Sequence, residues 1–449
     1  MKNKYSKYKP SGVEWIGDIP DHWVKTKVKH VVEIFGRIGY RGYTIEDIVN
    51  EGEGVITISP SNIQKDLFVI DNGVTYISYE KYYQSPEIMI FPNDIILVKT
   101  GSTIGKTSII PEGVPEMTIN PQLVVLKKIK TNPKHFYYQT LCNYIKESFE
   151  VEQTGSTTPT ISQEKINEFP ILNPPLPEQE QIVKYLDEQT GEIDNLISIT
   201  EKKIELLKEN RTSTINRVIT KGLDPNVELK DSGIEWIGEI PKHWTKSSIK
   251  YINKKVGSGV TPRGGSEVYV DEGVIFIRSQ NVHFDGLRLD DVVKIEPDTH
   301  EKMSGTKVLF NDVLLNITGG SIGRCCIVET SEEMNVNQHV CIIRPNENIK
   351  PRFLNLFLQS SIGQTQVDLF ITGGNREGLN IENIKNFFVP LPLLSEQEEI
   401  VKYLDQITQD IDNLISIEQQ RIETLKEYRQ SLISEVITGK VRVCEEVKL

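Results

Sequence analysis

The sequence predicts an α+β protein. Two globular mixed α/β domains alternate with two long helices that pack on each other as an antiparallel coiled coil. Three observations predict it. The chain is written twice, each copy holds short β-rich runs between turn residues, and each copy closes on a long stretch of heptad-like apolar spacing.

The duplication comes first. Ser11-Gly-Val-Glu-Trp-Ile-Gly-Asp-Ile-Pro-Asp-His-Trp23 returns as Ser232-Gly-Ile-Glu-Trp-Ile-Gly-Glu-Ile-Pro-Lys-His-Trp244, with ten of 13 positions identical. Glu178 to Gly222 returns as Glu396 to Lys440, again with more than half of the positions identical, including IVKYLD and IDNLIS in both. Between these blocks the copies diverge, and a thin thread remains. Asn93-Asp94 and Thr100-Gly-Ser-Thr-Ile-Gly-Lys106 match Asn311-Asp312 and Thr318-Gly-Gly-Ser-Ile-Gly-Arg324. A period this long is a duplicated domain pair, not a solenoid. Four zones are expected: a globular domain over 1–173, a helix over 174–228, a globular domain over 229–391 and a helix over 392–449.

In the globular zones, Val55–Ser59, Ile95–Val98 and Leu123–Leu126 read as strands, with counterparts Val274–Arg278, Val313–Ile317 and Val340–Ile343. Pro133–Val151 and Pro351–Leu369 read as helices, each ending before a polar loop. In the spacers, steps of three and four pick out Ile182, Leu186, Gln189, Ile193, Leu196, Thr200, Ile204, Leu207, Arg211, Thr214 and Val218. The second copy gives Ile400, Leu404, Ile407, Ile411, Leu414, Glu418, Ile422, Leu425, Arg429, Leu432 and Val436. Such a seam predicts helices that pair along their length, each roughly 65 Å long. Ser395-x-x-Glu398 reads as a capping box and Pro177 as a helix-start proline, while Gly222 and Gly439 stand where helices stop. Arg211 and Arg429 interrupt the seam at equivalent places. That suggests either register control or a further helix docking from another protein.

Composition bounds the class. The chain has 449 residues, 38% hydrophobic and 25% charged, as in soluble globular proteins. No apolar run is long enough for a membrane helix, and the basic start has no apolar stretch behind it, so no signal peptide is expected. Five scattered cysteines without a CxxC pair fit a reducing cytoplasm, with no disulfide framework or zinc ribbon. The net charge of −12 argues at first against nucleic acid. It is unevenly spread: −1 over 1–170, −3 over 171–230, −3 over 231–390 and −5 over 391–449. The globular zones are near neutral for their size and each has room for a basic face.

Several motifs look catalytic and fail. Gly101-Ser-Thr-Ile-Gly105-Lys106-Thr107 has three residues between its glycines where a phosphate-wrapping P-loop has four. The second copy replaces Lys106 and Thr107 by Arg324 and Cys325. Asn173-Pro174-Pro175-Leu176 lacks the aromatic residue that amino-methyltransferases stack on their target base. Asp94 with Lys99 lacks the middle carboxylate of a nuclease core. His22 and His243, beside Trp23 and Trp244, read as packing or capping residues. No catalytic residue and no metal site are expected in this chain.

The repeated SGxEWIG-x-IP-x-HW box, the repeated EQExIVKYLD…IDNLIS helix and the duplication together resemble the specificity subunit of Type I restriction–modification enzymes. The resemblance covers the whole chain. It implies that the globular zones are target recognition domains, each reading one half of a split double-stranded DNA sequence. It implies that the helices hold them apart and dock two modification (methyltransferase) subunits, with two restriction (translocase–nuclease) subunits completing the enzyme. No cofactor is then expected in this chain. S-adenosylmethionine, ATP and magnesium belong to the partner subunits, and no membrane is involved. A free-standing DNA-binding or anti-restriction adaptor, or a coiled-coil scaffold without a DNA role, would use the same architecture.

Under that reading, polar loop residues at matching places in both halves are the DNA-binding candidates. In the first half these are Arg37, Tyr40, Arg41, Lys99, Ser102, Thr103, Lys106, Thr154 and Ser156. In the second they are Thr261, Arg263, Arg278, Gln280, Asn281, Ser321, Arg324, Asn375 and Arg376. Gly101, Gly105, Gly319 and Gly323 read as turn-forming residues that bring backbone close to a partner.

Overall fold

A computed structural model describes residues 4–37, 42–64, 67–70, 73–154, 158–262, 264–372 and 378–444. The fold is α+β and has two compact units, one formed by 1–200 with 420–449 and the other by 201–419. Each unit holds one globular zone and a part of each long helix.

In the first unit, the apolar runs pair into two sheets. A five-stranded sheet has the order Met89–Ile90, Met117–Ile119, Gly54–Ile58, Thr75–Ser78, Ile48–Val49. Its pair Met117–Ile119 and Gly54–Ile58 is parallel. A four-stranded antiparallel sheet has the order Thr107–Ile109, Ile95–Val98, Leu123–Lys127, Glu33–Gly36. Ile96, Val98, Val125, Ile58 and Ile119 fill one core between them. The second unit repeats both sheets, with the parallel pair now Val274–Ile277 and Met334–Val336. Its four-stranded sheet has the order Asn253–Ser258, Val340–Pro345, Val313–Asn316, Cys325–Ile327.

The helix expected over Pro133–Val151 is two helices, Pro133–Thr140 and Asn143–Glu152. Pro351–Leu369 likewise divides into Pro351–Gln359 and Ser361–Phe370. The breaks are local. Cys142 and Ser360 take extended backbone, and Ser360 Oγ accepts from Gly363 N–H to open the new helix. A side chain at Gly363 would meet Phe357 O at 2.3 Å, so only glycine lets the two helices turn this tightly.

The long helices span Leu176–Lys221 and Leu394–Ile437. Ser395 therefore lies inside the second helix and is not its cap, and Glu398 pairs instead with Lys350. The helix start is held by Gln397, whose Nε2 donates to Pro392 O and whose Oε1 accepts from Lys350 N–H. Gln179 does the same in the first unit with Pro174 O and Asn132 N–H. Gly222 and Gly439 follow the helix ends with φ of 72° and 71°, the left-handed turn that glycine adopts freely.

Within each unit the two helical segments run antiparallel. In the first unit Asp194 meets Arg429, and Glu178 O accepts from Cys444 Sγ. In the second, Lys203 meets Glu418 and Arg211 meets Asp412. Ile182, Leu186, Ile193, Ile204 and Val218 are buried, as are Ile400, Leu404, Ile411, Ile422, Leu432 and Val436. Leu207, Ile407 and Leu425 are half-buried. Leu196 and Leu414 depart from the expected seam and are 40% and 45% exposed. Buried Ile197 takes the inward place in the first helix and half-buried Ile415 in the second. The step of four falls earlier than the sequence suggested, at Thr190 and Thr408, each of which turns inward. They return their hydroxyls to Leu186 O and Leu404 O. In the second unit Val218, Ile400 and Leu404 belong to the same core as Trp244, Phe353 and Phe357, which ties the helices to the globular domain.

Candidate nucleic-acid interface

The repeated box fastens each globular domain to a helix start. His22 Nε2 lies 2.9 Å from Glu178 Oε2, and Tyr5 Oη donates to Glu178 Oε1 at 2.5 Å. In the second unit His243 Nε2 lies 3.0 Å from Glu396 Oε2, and Trp244 Nε1 donates to Glu396 Oε1 at 2.9 Å. Tyr138 Oη and Lys134 bind Asp187, and Arg352 binds Asp405 at the equivalent place. The histidines of the box serve this anchorage.

On that frame, polar turns converge in each unit. In the first, the glycine loop 101–105 follows strand Ile95–Val98 and lies against the turn after strand Gly54–Ile58 and the turn before Leu123. Between them is a cleft of about 630 Å³. Ser102, Thr103 and Lys106 line it, joined by Ser61, Gln64 and Gln122, which sequence reasoning missed. Thr154 is exposed and reaches the loop indirectly: it bridges to Thr160, whose hydroxyl lies 2.8 Å from that of Thr100. Lys99 is half-buried outside the cleft lining, and its N–H donates to Gln122 O.

Arg37 is a correction. It is 7% exposed, its guanidinium donates to Ile119 O and Thr118 Oγ1, and it stacks over Tyr43. It braces the sheet, with its guanidinium turned inward on these partners. Burial lowers its pKa from the ordinary arginine value. Tyr40, Arg41 and Ser156 lie outside the described residues.

In the second unit, Gln280 is exposed, and Thr261, Arg278, Ser321 and Arg324 are half-buried. The Arg278 guanidinium lies 5.9 Å from the Tyr269 ring centroid. Asn316 Nδ2 donates to both Ser279 O and Ser321 Oγ, which binds the 279–281 turn to the glycine loop. Asn281 is the second correction. It is 3% exposed, its Oδ1 accepts from Arg278 N–H and its Nδ2 donates to Arg288 O. Its amide holds the turn and is not free for a base. Arg263, Asn375 and Arg376 lie outside the described residues. Gln338 and His339, on the turn before Val340, are the residues missed here. The signal was present in the repeated Thr118-Ile-Asn120 and Asn335-Val-Asn337.

The glycine loops spend N–H groups internally. Gly101, Ile104, Gly105 and Lys106 N–H donate to Pro159, Gly101, Val98 and Thr103 carbonyls. A side chain at Gly105 would meet the Phe149 ring at 3.1 Å, so this glycine serves close packing against a helix. Among the described residues no group of three or more His, Cys, Asp or Glu side chains could hold a metal. No described helix is long and apolar enough to cross a membrane.

The model of the Type I restriction modification DNA specificity domain matches this chain twice, over 20–209 and 241–427. The chain belongs to the Type I restriction–modification specificity family. Among its relatives, the Type I restriction enzyme MjaVIII specificity subunit of Methanocaldococcus jannaschii is 28% identical over 80% of this chain and 81% of that one. The EcoBI specificity subunit of Escherichia coli is 25% identical over 94% and 87%. Among solved structures, a chain from work on assembly and conformational transition of the type I R-M system shares the fold with a TM-score of 0.70. It is 15% identical and is matched over 93% of this chain and 98% of its own. The HsdS subunit from Thermoanaerobacter tengcongensis aligns with a TM-score of 0.51 at 15% identity, over 94% and 98%. Each family match falls within one of the two copies read from the sequence.

Proposed function

We propose that this chain is the non-catalytic DNA-recognition component of a cytoplasmic Type I restriction–modification complex. Each globular domain reads one half of an asymmetric split target in duplex DNA. The long helices fix the gap between half-sites and dock two methyltransferase subunits, and two translocase–nuclease subunits complete the assembly. S-adenosylmethionine, ATP and magnesium act in those partners.

One observation carries the reading: the two units repeat their frame and differ in what it presents. The anchors His22–Glu178 and His243–Glu396 recur, as do Gln179 and Gln397. The polar turns above them do not match. Equal frames suit two copies of one partner, and unequal turns suit two different half-sites. The docking role is supported by a repeated apolar pair on the outer helix face. Leu196 and Ile199 in the first unit are exposed, and so are Leu414 and Ile417 in the second.

Adenine-methylation mapping of a host carrying this chain with its modification subunit tests the proposal. A split motif of two different half-sites, methylated only when both proteins are present, is expected. Absence of such a motif from an assembled complex would overturn the reading.

A further inference from the structure

We infer that the two half-sites are told apart by one repeated asparagine turn, which presents Pro121-Gln122 in the first unit and Gln338-His339 in the second. The inference rests on the recognition role proposed above and names the residues that exercise it.

The frame of this turn is the same in both units. Asn120 and Asn337 are buried. Their N–H groups donate to Ile58 O and Ile277 O, joining the ends of the parallel strand pairs. Asn120 Oδ1 accepts from Gln122 N–H at 3.0 Å, and Asn337 Oδ1 accepts from His339 N–H at 3.1 Å. Gln122 O accepts from Lys99 N–H and His339 O from Ile317 N–H, which locks each turn against the stem of its glycine loop. The neighbouring turn follows the same rule. Asn62 and Asn281 both bond backbone at each end of the amide, while Pro60-Ser61 becomes Ser279-Gln280. A chain that duplicates a turn, keeps its buried asparagine and changes every side chain shown outward separates scaffold from message.

The presented groups differ in hydrogen-bonding sense. In the first unit Asn120 Nδ2 donates to Gln122 Oε1 at 3.2 Å. Gln122 Nε2 is left to donate, close to Gly101 in the cleft. A donor here matches base-edge acceptors: purine N7, guanine O6 or thymine O4. In the second unit the His339 ring lies between Thr318 Oγ1 and Gln338 Nε2, at 2.5 and 3.0 Å. Gln338 is exposed and its Oε1 is left to accept, which matches the amino groups of adenine or cytosine.

The test is methylation mapping of the full chain assembled with its modification subunit. Gln122→Glu replaces the donor by an acceptor at constant shape. One position of one half-site should move toward bases bearing an amino group, with the other half-site unchanged. Gln122→Ala should lower discrimination at that position about tenfold. Gln338→Ala should do the same in the opposite half-site, and it stands independently if a position-122 variant fails to fold. Thermal melting and assembly of each variant separate folding from recognition. A split wild-type motif that keeps its letters in folded variants would overturn this inference and leave the recognition role standing. A uniform fall in methylation without a change of letters would mark a backbone contact and would also overturn it. A wild-type complex that assembles but methylates no split motif would overturn both.

Discussion

Arg429 Nε lies 3.0 Å from Asp194 Oδ1 where the two helical segments of the first unit cross. Its repeat counterpart, Arg211 Nε, lies at the same 3.0 Å from Asp412 Oδ1 in the second unit. The arginines that interrupt the apolar seam are thus matched by carboxylates on the facing helix, and each pair fixes the register of its crossing. Both pairs are partly exposed, so each contributes on the order of 0.5–1 kcal/mol. In a double-mutant cycle on Arg429→Ala and Asp194→Ala, thermal unfolding should give a coupling of that size. Additive losses would mean that the pair does not set register.

The carboxylate at each helix start should matter more. Glu178 is buried and satisfies Tyr5 and His22 together. Glu178→Ala removes the carboxylate that both partners bond and should cost about 1–3 kcal/mol. The Glu396 side chain is itself 24% exposed and that of its partner His243 50%, so water can take the place of the carboxylate and Glu396→Ala should cost less. Denaturant unfolding of the two variants measures the difference.

Gly439 cannot carry a side chain. Its φ is 71°, and a Cβ there would sit 2.4 Å from Pro20 Cδ. Gly439→Ala should destabilise by roughly 2 kcal/mol or more, because strain adds to a clash with a packed ring. Gly52→Ala, at a φ of 83° with nothing within 4 Å, should cost only the strain, about 1 kcal/mol. Equal melting temperatures for the two variants would contradict this account.

His135 supplies a pH signature. Burial lowers its pKa from 6.5 to about 3, so the folded protein keeps the ring neutral. The unfolded chain binds a proton that the folded chain refuses between these values. The stability contribution is therefore full above pH 6.5 and declines as pH falls toward 3, by up to about 1.4 kcal/mol per pH unit. His135→Leu should flatten this part of the melting curve against pH. An unchanged pH slope would show that the ring is not the group responsible.

The outer helix face should be separable from folding. Ile199 and Ile417 are 53% and 57% exposed, so Ile199→Glu and Ile417→Glu should leave the unfolding free energy within about 0.5 kcal/mol of the parent. Each should remove one methyltransferase subunit from the complex, and the double variant both. Mass measurement of the assembled species reads this directly. Full assembly of the double variant would remove the face from the docking role.

By itself the sequence determined the duplication, the α+β class, the two long helices with their glycine stops and the family. These rest on local signals: repeated identity along the chain, apolar period and the backbone freedom of glycine. Which side chains turn inward was left to the tertiary structure. Leu196 and Ile197 are equally apolar and adjacent, and only the facing helix decides which of them is buried. The breaks at Cys142 and Ser360 were hidden because both flanking runs are helical and a single extended residue separates them. The interface divided along the same line. Polar residues near loops were legible, but Arg37 spends its hydrogen bonds on a strand distant in sequence and Asn281 on the backbone of its own turn. Gln122 and Gln338 gain their place only because a buried asparagine joins two strands far apart in sequence. A side chain's type states what it is able to bond, and the fold decides which of those bonds are already made.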